Sequence, residues 1–544
     1  LKATSLLLAS CSGILFWLGW PTYGFAGLLF IAWIPLLLAE RRIRLSTTKR
    51  KTIRVLGHAY LTFFIWNIAT TYWLYFSTAF GMWFAVLVNS LLMSLVFLGY
   101  HLMAKKVGQA AGLSFLVCLW ISFERLHLHW DFSWPWLNLG NGFSEQVGWI
   151  QWYEYTGTFG GTIWVWIVNI ALFLSLFPIP KHDEKFVRPT FKFILKRTLL
   201  PIGLLVVPVL ISQALVWDPI SFQKGNGTEV VIIQPNIDPY EEKYEMDNDS
   251  IVKLIMTLAE NKLQPSTQFL ITPETVLADN IQVRNLKEIP YDPNIQKLRS
   301  KLAAYPQLNY LGGISMAEIF RDESRYGPQS NTANDGRTFY NDYNSAIFLK
   351  ADRDPQLYHK SKLVVGVENF PYKNILEPIL GNAMLDLGGT VATKTTQEDR
   401  SVFESAEGIK VAPIICYESV YGEFVTDYVN NGAQFLAIIT NDAWWGNTQG
   451  HQQHLSLARL RAIENRRWIA RSANTGISAI INDKGDVVQS LGYEQQGSLA
   501  GKIRPRCELT FYSKHGDYIA RIAGMMAVFI LLFSVLRRGK LKRK

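Results

Sequence analysis

Lys410-Val-Ala-Pro-Ile-Ile-Cys-Tyr-Glu418 is a short apolar run that ends on a cysteine. A run of this length reads as a buried strand that delivers a thiol to the edge of a sheet. Working outward, further strand candidates are Glu229-Val-Val-Ile-Ile233, Phe269-Leu-Ile271, Asn309-Tyr-Leu-Gly-Gly313, Ser345-Ala-Ile-Phe-Leu349, Phe435-Leu-Ala-Ile-Ile439 and Ile477-Ser-Ala-Ile-Ile481. Helical patterns over 248–263, 293–304, 419–431 and 453–466 alternate with them. Such alternation predicts an α/β layered domain. The polar stretch 321–342 reads as an exposed loop.

Two more segments place reactive groups in similar settings. Phe269-Leu-Ile-Thr-Pro-Glu274 sets a carboxylate after a strand, and Tyr358-His-Lys360 supplies an amine. A thiol is a poor nucleophile until it loses its proton. Glu274, at the carboxyl end of a strand where α/β sites collect, is the candidate base. Lys360 would favour the thiolate and then stabilise an oxyanion, with the backbone N–H of Tyr417 as a second donor. Thiol, carboxylate and ammonium together are what acyl transfer through a thioester needs. Each alone has a plainer reading: core packing for Cys416, a turn for Glu274, a solvated side chain for Lys360.

Composition sets the surroundings. Of the 544 residues 49% are hydrophobic and only 18% charged, against about a quarter in soluble domains. The net charge of +10 gathers in runs such as Arg41-Arg-Ile-Arg44, Lys49-Arg-Lys51 and Arg537-Arg-Gly-Lys-Leu-Lys-Arg-Lys544. Beside apolar segments such runs set membrane orientation rather than bind nucleic acid. Taking roughly 20 apolar residues per crossing, eight spans are expected near 5–20, 24–39, 56–77, 82–103, 111–127, 158–178, 198–217 and 519–536. The first lacks a small-residue cleavage site and is followed by others, so it reads as a span rather than a signal peptide. Because the chain opens on Leu1 rather than Met, its true start is left open. Loops 40–55, Lys105-Lys106, 179–197 and the basic tail all fall on one side if spans alternate. That side should be the cytoplasm. The expected domains are residues 1–217 with seven transmembrane helices, 218–517 outside the cytoplasm, and 518–544 as a last helix and basic cytoplasmic tail.

The 128–157 loop carries Trp130, Trp134, Trp136, Trp149, Trp152, Tyr153 and Tyr155. It reads either as an interfacial aromatic belt or as a platform lining a lipid entrance. Cys11 and Cys118 sit in apolar spans as packing residues, no CxxC pair suggests a metal ribbon, and a Cys416–Cys507 disulfide stays open.

The ordered set Trp134-Pro-Trp-Leu-Asn-Leu-Gly140, Pro273-Glu274, Tyr358-His-Lys360 with Leu363-Val364 and Glu368, and Ile415-Cys-Tyr-Glu418 carries a resemblance. It continues with Asn441-Asp-Ala-Trp-Trp-Gly446, His454, Arg461-Ala-Ile-Glu464 and Arg471-Ser-Ala-Asn-Thr-Gly476. The Glu–Lys–Cys trio resembles that of the nitrilase superfamily. With the flanking spans, nearly the whole chain resembles its membrane-embedded apolipoprotein N-acyltransferases. The resemblance implies an extracytoplasmic αββα sandwich joined to the eight-helix membrane domain. It implies Glu274 as general base, Lys360 as oxyanion stabiliser and Cys416 as nucleophile. Glu368 would support the trio, and Tyr417 and Glu418 would shape the pocket. The family commonly reads Leu-Val-Pro-Phe-Gly-Glu where this chain has Leu363-Val-Val-Gly-Val-Glu368. Lys362 is therefore a rival for the lysine role; Lys360 keeps the family's spacing of eight residues to Glu368. The implied reaction moves the sn-1 acyl chain of a phospholipid to Cys416, then to the N-terminal amine of a diacylglyceryl-cysteine in an apolipoprotein. No metal or cofactor is needed, a monomer is expected, and the setting is the bacterial inner membrane with the catalytic domain in the periplasm.

Residues 366–400, with Phe370, Ile375, Leu376, Ile379 and Leu380, and the loop bearing Trp444 and Trp445 are candidate gates for acyl chains. A membrane-tethered amidase acting on a small amide is the first rival. A non-catalytic membrane scaffold is the second, against which the intact trio speaks. A transporter is disfavoured because the spans carry few charges beyond Glu124 and Arg125.

Overall fold

The computed structural model describes residues 2–178, 191–216, 227–238, 246–278, 285–373, 375 and 393–541. The chain divides into two units. One comprises Leu1–Tyr75, Gly81–Pro219 and Asp517–Lys544; the other comprises Phe76–Phe80 and Ile220–Gly516.

The first unit is helical. Four of its described helical segments are long and apolar enough to cross a membrane: Ala79–Val107, Thr158–Leu176, Arg197–Val216 and Tyr518–Leu536. The other four expected spans do form helices but miss that criterion. Lys2–Leu18 has 17 residues and Trp33–Leu45 only 13, with Glu40, Arg41, Arg42 and Arg44 at its end. Lys51–Thr71 opens on Lys51 and Arg54, and Gln109–Leu126 ends on Glu124 and Arg125. Lys181, Lys185 and Arg188 of the basic loop lie outside the described residues.

The aromatic 128–157 segment folds into short helical turns. Trp136 and Tyr153 are buried, Tyr155 is exposed, and the other tryptophans are half-buried. Glu124 fastens this segment. Its Oε1 accepts from Trp120 Nε1 at 2.9 Å and from the Leu139 N–H at 2.7 Å, and its Oε2 from Thr162 Oγ1 at 2.7 Å. The exceptional charge in the spans is thus a fully hydrogen-bonded anchor for the Trp134–Gly140 motif.

The second unit is built on β1 (Thr228–Gln234), β2 (Thr267–Ile271), β3 (Asn309–Phe320), β4 (Asn331–Thr332), β5 (Phe339–Leu349) and β6 (Gln356–His359). There follow β7 (Phe403–Glu404), β8 (Lys410–Ile415), β9 (Phe435–Thr440), β10 (Ile469–Ala473), β11 (Ser478–Ile481), β12 (Val487–Leu491) and β13 (Gly497–Ile503). The first sheet has the order β13-β1-β2-β3-β5-β4, with β6 also on β5; the second runs β12-β11-β10-β9-β8-β7. Each has three parallel central strands, β1–β2–β3 and β8–β9–β10. At the outer edge of the first sheet β13 returns antiparallel to β1, Thr228 opposite Ile503.

Alternation along β1 assigns the layers. Val230 and Ile232 join Phe269, Ile271 and Phe348 in a core shared with Ile414, Leu436, Ile438 and Ala470 of the second sheet. Val231 and Ile233 point the other way, to Ile251 and Ile255 of α1 (Asn248–Glu260) and Leu298 of α2 (Pro293–Leu302). Behind the second sheet, Val425 and Val429 of α3 (Gly422–Asn430) and Ala458 and Ala462 of α4 (Gln449–Asn465) close the stack. The parallel strands are buried on both faces, which is why they read as continuous apolar runs. Each large apolar side chain so buried contributes about 1.5–3 kcal/mol.

Most of the 321–342 stretch is the expected exposed loop, but Ser330 and Asn331 are buried, β4 pairs with the start of β5, and Phe339–Asp342 belong to β5 and pair with β3. The pairing partner, absent from any local pattern, makes the strand.

Candidate active site

β8 ends at Ile415, and Cys416 turns the chain into the short 3-10 helix Cys416–Val420. Its φ is +50°, the left-handed region. A non-glycine residue there costs on the order of 1 kcal/mol and persists only when its neighbours fix it. The turn sets the thiol at the carboxyl end of the parallel strands. Cys416 and Cys507 are both free thiols, Cys507 exposed and bonded to Gln434 Nε2 at 3.0 Å.

Glu274 arrives from the neighbouring sheet, three residues past the end of β2. Its loop crosses β3 so closely at Gly313 that a side chain there would collide with the backbone of Glu274 and Thr275. Lys360 arrives directly after β6. Its ammonium lies 2.8 Å from Glu274 Oε1 and 2.9 Å from Glu368 Oε2. The Asn344 amide donates to both carboxylates, to Glu274 Oε1 at 2.8 Å and to Glu368 Oε1 at 2.9 Å. Glu274 Oε2 accepts from the Asn441 N–H at 3.2 Å. The Val364 N–H donates to Glu368 Oε2 at 2.9 Å, so the loop lacking the family's proline still seats its glutamate.

Burial alone would drive the Lys360 proton off. Glu274, then Glu368 and Cys416, outweigh that and hold the ammonium well above the usual lysine range. Cys416 goes the other way: burial and then the Glu274 charge push the thiol up, while Lys360 pulls it down less strongly. Burial and that charge both favour the protonated thiol, so sulfur could act as a nucleophile only with a base to take its proton. Lys362 stands apart, its amine 5.0 Å from the Tyr421 ring centroid and 5.9 Å from that of Phe424.

Glu418 is buried behind the turn. Its Oε1 accepts from Tyr358 Oη and the Ser361 N–H, both at 2.7 Å; its Oε2 accepts from the Ile415 N–H at 2.8 Å and Tyr428 Oη at 3.2 Å. Burial raises its pKa. One carboxyl group thereby ties the strand that ends at Cys416 to the loop of Lys360. Tyr417 is buried and packs edge-on against Tyr421 at 5.3 Å. Trp444 and Trp445 follow Asn441 in a short 3-10 helix and are half-buried, Trp445 edge-on to His454 at 5.5 Å. Phe370 is buried and Ile375 exposed; Leu376, Ile379 and Leu380 lie outside the described residues.

Asn344 was invisible to sequence reasoning, since it falls between the expected loop 321–342 and the expected strand Ser345–Leu349. Its pairing opposite Ser315 on β3 is the signal that turns it inward. Asp442, His454 and Arg471 stood in quoted motifs, but their mutual contacts were not legible.

Residues 229–510 match the carbon-nitrogen hydrolase family, and residues 12–171 match the apolipoprotein N-acyltransferase N-terminal domain. The chain belongs to the carbon-nitrogen hydrolase family. Its full-length similarity is to apolipoprotein N-acyltransferases. It is 26% identical to that of Chlorobaculum tepidum over 97% of this chain and 96% of the other. It is 29% identical to that of Rickettsia prowazekii over 77% and 75%. Among solved structures, an amidase of the nitrilase superfamily from Nesterenkonia aligns at 16% identity and a TM-score of 0.36, over 55% of this chain and 98% of that one.

Proposed function

We propose that this chain is an acyltransferase that N-acylates lipoproteins, with Cys416 carrying the acyl group as a thioester. The observation that carries the reading is the buried Lys360 ammonium held between Glu274 and Glu368, close enough to Cys416 for the two to be electrostatically coupled. Full-length similarity to named N-acyltransferases supplies the reaction class.

In the first half, Glu274 takes the thiol proton as sulfur adds to the sn-1 ester carbonyl of a phospholipid. Lys360 and the Tyr417 N–H face the oxyanion. Collapse expels the glycerol oxygen, which regains the proton from Glu274 and leaves as lysophospholipid. In the second half, the α-amine of a diacylglyceryl-cysteine adds to the thioester. Glu274 accepts its proton and returns it to the departing sulfur. Glu368, Tyr417 and Glu418 hold these groups in place. A site closed to water and open to lipid favours aminolysis over hydrolysis.

The same reading takes the chain as a multi-pass protein of the bacterial inner membrane. Residues 1–217 and 518–544 would give eight crossings, the shorter helices included, and 218–517 would face the periplasm with the C-terminus cytoplasmic. The parity of the basic loops supports this orientation. Trp444 and Trp445 gate the acyl chain, and the protein works as a monomer.

The test is incubation of the detergent-purified protein with phospholipid and a diacylated lipopeptide. A fatty-acyl mass adduct on Cys416, then a third acyl chain on the lipopeptide, is the expected outcome. Release of free acid or ammonia from a small amide, with no adduct from phospholipid, favours the tethered amidase instead. Replacing Trp444 and Trp445 with Ala should slow transfer from long-chain donors; unchanged rates reject the gate.

A further inference from the structure

Behind Cys416 lies a second buried constellation that the transfer chemistry above does not use. His454 Nδ1 is 2.9 Å from Asp442 Oδ1, and His454 Nε2 is 3.0 Å from Ser419 Oγ. Arg471 Nη2 binds the other Asp442 oxygen at 2.7 Å and approaches Nδ1 to 3.1 Å; Thr440 Oγ1 donates to Asp442 Oδ1 at 2.8 Å. The order Ser–His–Asp is that of a hydrolase relay. It does not serve as one. Ser419 is fully buried, and its hydroxyl is already committed to the Cys416 carbonyl at 2.7 Å. The relay therefore ends on the nucleophile's own peptide. His454 Nε2 reaches the same carbonyl oxygen at 3.3 Å.

A peptide unit is planar and trans, so its C=O and the next residue's N–H point in opposite directions. Fixing the Cys416 carbonyl on one side fixes the Tyr417 N–H on the other. It also holds Cys416 in its left-handed conformation. We infer that Asp442, His454 and Ser419 are positioning residues that lock the Cys416–Tyr417 peptide plane and so aim the Tyr417 N–H at the oxyanion. This rests on the reading that Cys416 passes through a tetrahedral intermediate. Arg471 and the close approach of Gly476, where a side chain would meet the Asp442 carboxylate, keep Asp442 in place.

The inference separates two reactions of one thiol. Attack on an ester builds an oxyanion; alkylation by iodoacetamide does not. Full-length His454→Leu, His454→Gln and Ser419→Ala proteins are compared with the wild type by their p-nitrophenyl butyrate burst and their iodoacetamide alkylation of Cys416. Losing an aimed oxyanion donor costs about 10²–10³-fold in such reactions, so His454→Leu should slow the burst by about that much and alkylation by only about threefold. Gln can still donate to Ser419 and the carbonyl, so His454→Gln should recover most of the burst. Ser419→Ala, the smaller excision, should show the same split more weakly and carries the test should His454→Leu not fold. Equal slowing of burst and alkylation, or His454→Gln no better than Leu, overturns the inference. A wild-type burst with butyrate but no acylation by phospholipid overturns the lipid reading and leaves the positioning role standing. No burst in the wild type overturns both.

Discussion

Asn344→Ala removes one side chain from the cage around Lys360, and the structure sets the size of the effect. The amide gives one hydrogen to each of two buried carboxylates, at 2.8 Å and 2.9 Å. Hydrogen bonds to charged groups are worth about 1.5–3 kcal/mol each, but the Lys360 ammonium still serves both carboxylates after the change. The Asn344 Oδ1 is buried with no partner among the described residues, so its removal returns about 1 kcal/mol. The Lys360 N–H to Asn344 carbonyl bond at 2.8 Å survives, being backbone on both sides. The net cost to stability is therefore about 1–3 kcal/mol. Glu274 loses one of the contacts that fix its carboxylate, and a misplacement of about 1 Å lowers rates by up to 10²-fold. Intact-mass kinetics of the Cys416 acyl adduct, with thermal unfolding in parallel, would read both numbers. Asn344→Asp sharpens the contrast by adding a third carboxylate to one ammonium. One of the three acids must then keep its proton in the folded state, so stability should fall as pH rises above the ordinary carboxylate range. An Asn344→Ala protein that acylates at the wild-type rate would show that Glu274 needs no help from this amide, refuting the cage argument.

Other outcomes follow from the same contacts. Lys360→Met removes the group that lowers the thiol pKa, so alkylation of Cys416 at fixed alkaline pH should be slower than in the wild type, and acylation should be lost. Burial opposes the charge on Asp442, but Arg471 and then His454 hold its carboxylate well below the usual range. The stability this provides is present above the unfolded value of about 3.9 and is lost as pH falls toward the folded one; Asp442→Asn should flatten that acid limb in a pH series of unfolding midpoints. Gly313→Ala forces the Glu274 loop off β3, and should abolish acylation while leaving the sheets folded by circular dichroism.

Cys416 was legible because it follows directly on an apolar strand and Glu274 because it lies three residues past one, while Lys360, after the polar β6, was legible through its spacing of eight residues to Glu368. The layered α/β character was legible because apolar runs alternate with helical patterns. What failed were residues whose meaning depends on a partner far along the chain. Arg471 interrupts β10 with a charge and so hid that strand. It is buried because Asp442 waits 2.7 Å away on the loop after β9. Asn344 lay outside every expected element until β3 paired with it. In the helical unit, Trp33–Leu45 and Gln109–Leu126 carry charges that a span count tolerates, and the hydrogen bonds that Glu124 accepts from the Leu139 N–H and Thr162 were not legible.

The pairing of β13 with β1 has a consequence for how such a protein could arise. Directly opposed residues of an antiparallel pair lie about 5 Å apart, so the stretch from Thr228 to Ile503 starts and finishes at neighbouring points. A module with adjoining ends can be spliced into a single turn of a host chain without prying the host apart. The enzyme could thus have been assembled by inserting a self-contained cassette between two helices. Excising 228–503 and bridging the gap with a few glycines should leave a shortened protein that still enters membranes.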